Sequence, residues 1–226
     1  MIDKAKKLVK ELMQNEDSGH GMDHVERVFD LAMKFAENEN CNKQIVALSA
    51  LLHDVDDYKL FGNENQKQLT NTNRILTELK VDDQTKKSVL DIVSKIGYSK
   101  SLKGIRPTTI EGMIVSDADM CDALGANGLL RSHKYSIKFG KDFFDKNAWP
   151  IDNISAGVYT TKTSDSSVCH VFEKTLKLKN LMMTNSGKQE ATIRHNFVVS
   201  FLRQLFNEEN ANDWNQYLDK YLSNLD

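Results

Sequence analysis

From Ile45 to Val55 almost every residue is apolar (Val46, Ala47, Leu48, Ala50, Leu51 and Leu52 among them), and the run ends in His53, Asp54, Asp56 and Asp57. A helix that is apolar on nearly every face is buried on most sides. A polar cluster at the end of such a helix lies near the centre of the protein, where charged groups need partners or a metal. The rest of the chain has to fold around these residues.

It has the pattern to do so with helices alone. Val25, Val28, Phe29, Ala32, Phe35 and Ala36 form one apolar stripe at helical spacing, with Asp23 expected as its N-cap and Glu26 three residues later. Further helices are expected at about 65–80, 83–96, 108–122, 124–138, 166–184, 188–208 and 211–223. The stripe Phe197, Val198, Phe201, Leu202 and Leu205 reads as core. Only two prolines occur, Pro107 and Pro150, so long segments carry no helix breaker. The expected fold is an all-α helical bundle, a single domain over 1–226 that includes the C-terminal helices from about 166 to 226. Between about 139 and 165 the period is lost at Gly140, Trp149, Pro150, Gly157 and the run from Thr160 to Ser167, an irregular excursion that reads as a lid or flap. Phe143, Phe144 and Trp149 within it either stack on a base or anchor the loop.

Net charge is −2, with acids and bases mixed throughout, which speaks against nucleic acid or an anionic membrane as the partner. No stretch approaches the ~20 apolar residues of a membrane span, and the N-terminus lacks a secretory pattern. The three cysteines, Cys41, Cys121 and Cys169, are odd in number and form no CxxC, so a reduced, cytoplasmic compartment is expected and a thiolate zinc site is not.

Six histidines occur, at 20, 24, 53, 133, 170 and 195. Imidazole and carboxylate ligands without thiolate suit Mn²⁺ or Mg²⁺, and also Fe²⁺, Co²⁺, Ni²⁺ or Zn²⁺. Neighbours on a helix, His53 and Asp54 diverge by about 100°. They reach one ion only if it lies between them, off the helix, with ligands arriving from other helices. His24 and Asp119 are the candidates, and Asp117, in Asp117-Ala118-Asp119, is the alternative to the last. Two nitrogens and two oxygens would leave positions for water and substrate.

His24-Val25 with Arg27-Val28, then Ala50-Leu51-Leu52-His53-Asp54-Val55, then Asp117-Ala118-Asp119 with Asp122-Ala123-Leu124 resembles the HD superfamily of metal-dependent phosphohydrolases. The resemblance implies a compact helical bundle and one divalent ion on His24, His53, Asp54 and Asp119. It extends, over roughly residues 15–208, to a compact bacterial branch similar to nucleotide pyrophosphohydrolases, through Asp56-Asp57-Tyr58-Lys59, Gly125-Ala126-Asn127-Gly128 with Arg131, and His170-Val171-Phe172-Glu173-Lys174. Branches of the superfamily that bind two metals place extra histidines between the doublet and the last Asp. Here none lies between Asp54 and Asp119, so one ion is expected.

Phosphoryl chemistry also needs cations and proton-transfer groups. His20, Asp57 and Lys59 are the candidate catalytic residues: His20 as an acid-base or substrate contact, Asp57 as general base or water-orienting group, Lys59 as a cation on the phosphate. Arg27, Arg131, His170, Lys174 and Lys177 are the candidates for substrate binding. Asp117 and Asp122 are expected to hold imidazole N–H groups, and His133 and His195 to be structural. The expected substrate is a small phosphate ester, a nucleotide, hydrolysed from a (deoxy)nucleoside triphosphate to monophosphate and pyrophosphate. A 5′-nucleotidase and a non-catalytic nucleotide sensor are the alternatives, and a homodimer is compatible with the sequence.

Overall fold

The computed structural model describes residues 1–14, 21–151 and 164–225. His20, and the part of the excursion from 152 to 163, lie outside the described residues. Every regular element among the described residues is helical, as expected. Among the described residues, no helix is long and apolar enough to cross a membrane. The chain forms two compact units, one of residues 1–122 with 183–187, the other of 123–182 with 188–226.

The first unit contains α1 (Ile2–Leu12), α2 (Met22–Ala36), α3 (Lys43–Leu52), α4 (Tyr58–Gln68), α5 (Thr70–Glu78), α6 (Asp83–Lys95), the single turn α7 (Tyr98–Ser101) and α8 (Ile110–Asp122). α3 packs against α1, α2, α6 and α8. That explains why it is apolar all round: Leu48, Leu51 and Leu52 are fully buried, each contributing about 1.5–3 kcal/mol. Asn42 starts it by accepting the amides of Gln44 and Ile45 on its side-chain oxygen.

Two boundaries differ from the sequence reading. The N-cap of α2 is Gly21, and Asp23 sits inside the first turn, where its charge faces the positive helix end. The helix expected at about 65–80 is two helices, because Leu69 adopts a left-handed conformation (φ 50°). The cause is Asp56. Its buried carboxylate accepts the amides of Asn71 (2.8 Å) and Thr72 (2.9 Å) and the Thr72 hydroxyl (2.7 Å), capping a fresh start for α5.

Asp117, in the middle of α8 and fully buried, performs a similar task. It accepts the amides of Met183 and Thr184 and the Thr184 hydroxyl (2.8 Å), and the Thr184 oxygen in turn accepts the amide of Gly187 (2.9 Å). Thr184 thereby caps α11 (Asn185–Glu208), whose first three residues belong to this unit. Gly187 lies so close that a Cβ there would stand 2.3 Å from an Asp117 carboxylate oxygen.

The second unit holds α9 (Gly125–Ile137), α10 (Ser167–Glu173), a 3₁₀ helix (Thr175–Leu181), the remainder of α11, and α12 (Asn212–Ser223). The helix expected at about 166–184 breaks at Lys174 (φ −133°, ψ −60°) and continues as 3₁₀. Phe172, Phe206 and Trp214 form an aromatic centre. Trp149 lies flat on Trp214, 4.3 Å between ring centroids, and Phe144 meets the same indole edge-on, so these rings anchor their segment. The buried carboxylate of Glu173 accepts the Ile151 amide (2.9 Å) and the Ser164 hydroxyl.

Two outcomes test the Asp117 junction. Alanine ordinarily stabilises a helix relative to glycine by about 0.5–1 kcal/mol. Gly187→Ala should instead destabilise the protein by about 1–3 kcal/mol in urea unfolding, because the new methyl has to displace Asp117; a neutral or stabilising result would contradict the contact. Burial raises the Asp117 carboxyl above its ordinary 3.8, against the pull of the Thr184 and Met183 amides, the Thr184 hydroxyl and the Arg106 charge. A raised folded-state value means a stabilisation complete below pH 3.8 and lost as pH rises through the folded pKa. Asp117→Asn, which does not ionise, should therefore close on the wild type in stability from acid to neutral pH. A gap that widens over that range would reverse the sign.

Candidate metal centre

His24 stands in the first turn of α2, His53 closes α3, Asp54 follows it, and Asp119 lies on α8. The structure brings these four together. The two Nε2 atoms are 3.1 Å apart. An Asp54 oxygen is 3.3 Å from His24 Nε2 and 3.5 Å from His53 Nε2. An Asp119 oxygen is 3.5 and 3.8 Å from the same atoms. Bonds of about 2.1 Å to one ion would place neighbouring donors about 3.0–3.4 Å apart, whether octahedral or tetrahedral. The distances at His24, His53 and Asp119 come near these values, and the Asp54 oxygen stands beside the two imidazoles.

The far side of each imidazole fixes its chemistry. His24 Nδ1 lies 2.7 Å from a carboxylate oxygen of Asp122, and His53 Nδ1 lies 2.7 Å from the carbonyl of Ala50, one of the last carbonyls of α3. Both partners are acceptors that a protonated Nδ1 satisfies, an arrangement that would let both Nε2 atoms offer lone pairs to a cation. The donors of His24, His53 and Asp119 lie within 4.8 Å of one another and could hold a metal ion. The imidazoles are buried, whereas the Asp54 and Asp119 side chains retain 14% and 23% exposure. The cluster is open on its carboxylate side, where water and substrate can enter.

Asp122 is held in its turn by Arg27, through Nε at 2.7 Å and a terminal nitrogen at 3.1 Å, and this hydrogen bond raises the guanidinium pKa further. The structure thus gives Arg27, expected at substrate, another partner: it holds the carboxylate that orients His24. The two acids expected to hold imidazoles also part company, since Asp122 does so and Asp117 serves Met183 and Thr184. Asp119, not Asp117, faces the imidazoles.

Asp57 begins α4 with its backbone carbonyl, which accepts the amides of Leu60 and Phe61, and Lys59 lies in the first turn of that helix. Arg131 (α9), His170 (α10), Lys174 at the break after α10, and Lys177 in the 3₁₀ helix belong to the second unit. His170 lies 3.4 Å from the Ser164 hydroxyl. His133 packs edge-on against Phe143 and His195 is buried in α11, positions in keeping with structural roles.

One residue the sequence reading passed over is Lys100 on α7. Its ammonium donates to the Val93 carbonyl at 3.3 Å. Burial lowers its pKa below 10.5, while the charges of Asp57 and then Asp54 pull it back up. A lysine in a polar stretch carried no signal of this setting.

The outer contacts predict metal affinity. Asp122→Ala frees His24 to rotate or change tautomer and should weaken Mn²⁺ binding about 10- to 100-fold in a calorimetric titration. Arg27→Ala should give a smaller loss in the same direction. Wild-type affinity in Asp122→Ala would show that His24 needs no such support.

Comparison with known proteins agrees with this geometry. The HD domain family matches residues 21–124, the span that carries all four residues of the cluster. Bacillus subtilis YpgQ is 32% identical over 198 residues, covering 87% of this chain and 88% of YpgQ. A crystal structure of an HD-superfamily hydrolase from Bacillus thuringiensis is 35% identical, with a TM-score of 0.71 over 93% of this chain and 97% of that one. A crystal structure of a protein from Lactobacillus plantarum reaches a TM-score of 0.80 at 29% identity, over the same shares. The structure of YpgQ in complex with ADP gives a TM-score of 0.68 at 28% identity, over 92% and 97%. Sequence match, fold and site together show that this chain belongs to the HD superfamily, as a hydrolase of the metal-dependent phosphohydrolase class.

Proposed function

We propose that this protein is a nucleotide pyrophosphohydrolase, cleaving (deoxy)nucleoside triphosphates to monophosphate and pyrophosphate with one divalent ion, Mn²⁺ or Mg²⁺. The observation that carries the reading is the convergence of His24, His53, Asp54 and Asp119, with both imidazoles locked to offer Nε2. The nucleotide is supported by the resemblance to the pyrophosphohydrolase-like branch and by the relative YpgQ, whose structure was solved with ADP.

A bound divalent ion supplies a water molecule of lowered pKa and positive charge for phosphoryl oxygens. The remaining work falls to the chain. His24 and His53, fixed by Asp122 and Ala50, keep the ion's surroundings rigid, so that no reorganisation accompanies charge development. In the proposed reaction the water oxygen bonds to the α-phosphorus while the bond from that phosphorus to the α,β-bridging oxygen breaks. Pyrophosphate departs and Asp57 takes the water proton. His20 and Lys59 are proposed to contact the phosphates, and Arg131, His170, Lys174 and Lys177 to bind the nucleotide. Those assignments rest on the family resemblance.

The test is turnover over a panel of nucleotides with the products identified by phosphorus NMR. Chelated protein should be inactive and Mn²⁺ should restore it, with monophosphate and pyrophosphate in equal amounts. Asp54→Ala and His53→Ala should lose metal and turnover together, whereas Lys174→Ala should mainly raise KM. Orthophosphate as the sole inorganic product would replace the proposal with a 5′-nucleotidase. Tight nucleotide binding without hydrolysis would replace it with a sensor.

A further inference from the structure

We propose that Asn71 is a positioning residue of this centre, acting on the cluster through Asp54, whose stretch of backbone it holds in place. The inference deepens the metal-dependent reading of the site and rests on it. It starts from a strained residue. Leu69 adopts a left-handed conformation (φ 50°), rare for a bulky side chain and kept only where the surrounding structure enforces it. That turn of the backbone lets α5 begin at Thr70 instead of continuing α4. Asn73 braces the break, its side-chain amide donating to the carbonyls of Gln68 (3.1 Å) and Leu69 (3.0 Å). The fresh start brings Asn71 and Thr72 against the turn that follows α3.

That turn carries Asp54, and its link back to α3 is weak. The helix ends at Leu52 with His53 as C-cap, and the Val55 amide reaches the Leu52 carbonyl at 3.4 Å, a long bond. The Asp54 carbonyl accepts the Asp57 amide at 3.1 Å, a bond inside the turn itself. Four shorter bonds come from α5. Asn71 Nδ2 donates to the Val55 carbonyl at 2.7 Å. The Asn71 amide, the Thr72 amide and the Thr72 hydroxyl meet the Asp56 carboxylate at 2.8, 2.9 and 2.7 Å. Val55 and Asp56 are buried, so their acceptors depend on these partners. Asn71 thus grips the backbone just after Asp54 with its side chain, while Asp56 grips the backbone of Asn71. The bracket fixes the stretch from which the Asp54 carboxylate projects, and that carboxylate stands 3.3 Å from His24 Nε2 and 3.5 Å from His53 Nε2. Metal affinity depends on such fixing, since a ligand left loose has to be ordered when the ion binds.

Asn71→Ala should bind Mn²⁺ about 10-fold more weakly than the wild type in a calorimetric titration. With Co²⁺ at saturation its visible absorption spectrum should also change, because the ligands around the ion have moved. A loss of stability alone would leave the spectrum of the folded protein as it was. Asn73→Ala is the control: it loosens the same break through Gln68 and Leu69, so it should lower the melting temperature and keep the wild-type Mn²⁺ affinity and Co²⁺ spectrum. Wild-type affinity and spectrum in Asn71→Ala would overturn the inference, as would a loss of affinity equalled by Asn73→Ala. Should Asn71→Ala not fold, Thr72→Val removes only the hydroxyl bond to Asp56. It should weaken Mn²⁺ binding about threefold, with Thr72→Ser restoring it, and wild-type affinity in Thr72→Val would then overturn the inference. A wild-type protein that takes up no metal would sink the metal site and this inference together. Metal uptake without nucleotide turnover would sink the hydrolase reading alone, and metal uptake indifferent to Asn71 would sink this one alone.

Discussion

Two imidazole nitrogens stand 3.1 Å apart in the buried part of the first unit, each ring held from its opposite side by an acceptor oxygen. The nearby oxygens of Asp54 and Asp119 bring negative charge to the same place. Such a cluster could hold a metal ion, which would offset the carboxylates. The surrounding fold makes the cluster inescapable, because it removes the alternatives: His24 is tied to Asp122, and His53 to the end of its own helix.

The elements around the site follow from that demand. α3 is enclosed by α1, α2, α6 and α8, so its rigid apolar body delivers His53 and Asp54 to a fixed place. Asp56, two residues further on, pins the outgoing chain to the start of α5. Asp117 does the same between α8 and the segment at Met183–Gly187, two residues before Asp119. The acidic residues around the doublet and on α8 therefore divide into those that face the cation and those that brace the backbone presenting it. Neighbours in sequence do opposite jobs.

This division sets what could be read without coordinates. The all-helical class, the burial of α3 and the approach of His24, His53 and Asp119 to one another were legible, because helical periodicity is local and a His-Asp pair at the end of an apolar run is a conflict visible in one dimension. The pairing of Arg27 with Asp122, 95 residues away, was not. An arginine on a helix looks the same whether it meets solvent, substrate or a carboxylate. The split after Gln68 was hidden for a similar reason: Asp56 caps α5 from 15 positions earlier in the chain, and propensity within 65–80 favours one continuous helix. Lys100 was hidden because its setting is made by a four-residue turn and by carboxylates more than 40 positions earlier. Sequence spacing pointed to candidate ligands; it could not reveal which side chains hold them in place.

The central claim is that His24, His53, Asp54 and Asp119 share one cation. Anomalous diffraction from crystals grown with Mn²⁺ tests it directly. A single peak is predicted within about 2.0–2.3 Å of both Nε2 atoms and of one oxygen from each aspartate. A peak on Asp117, a pair of peaks, or manganese bound only at surface carboxylates would contradict it.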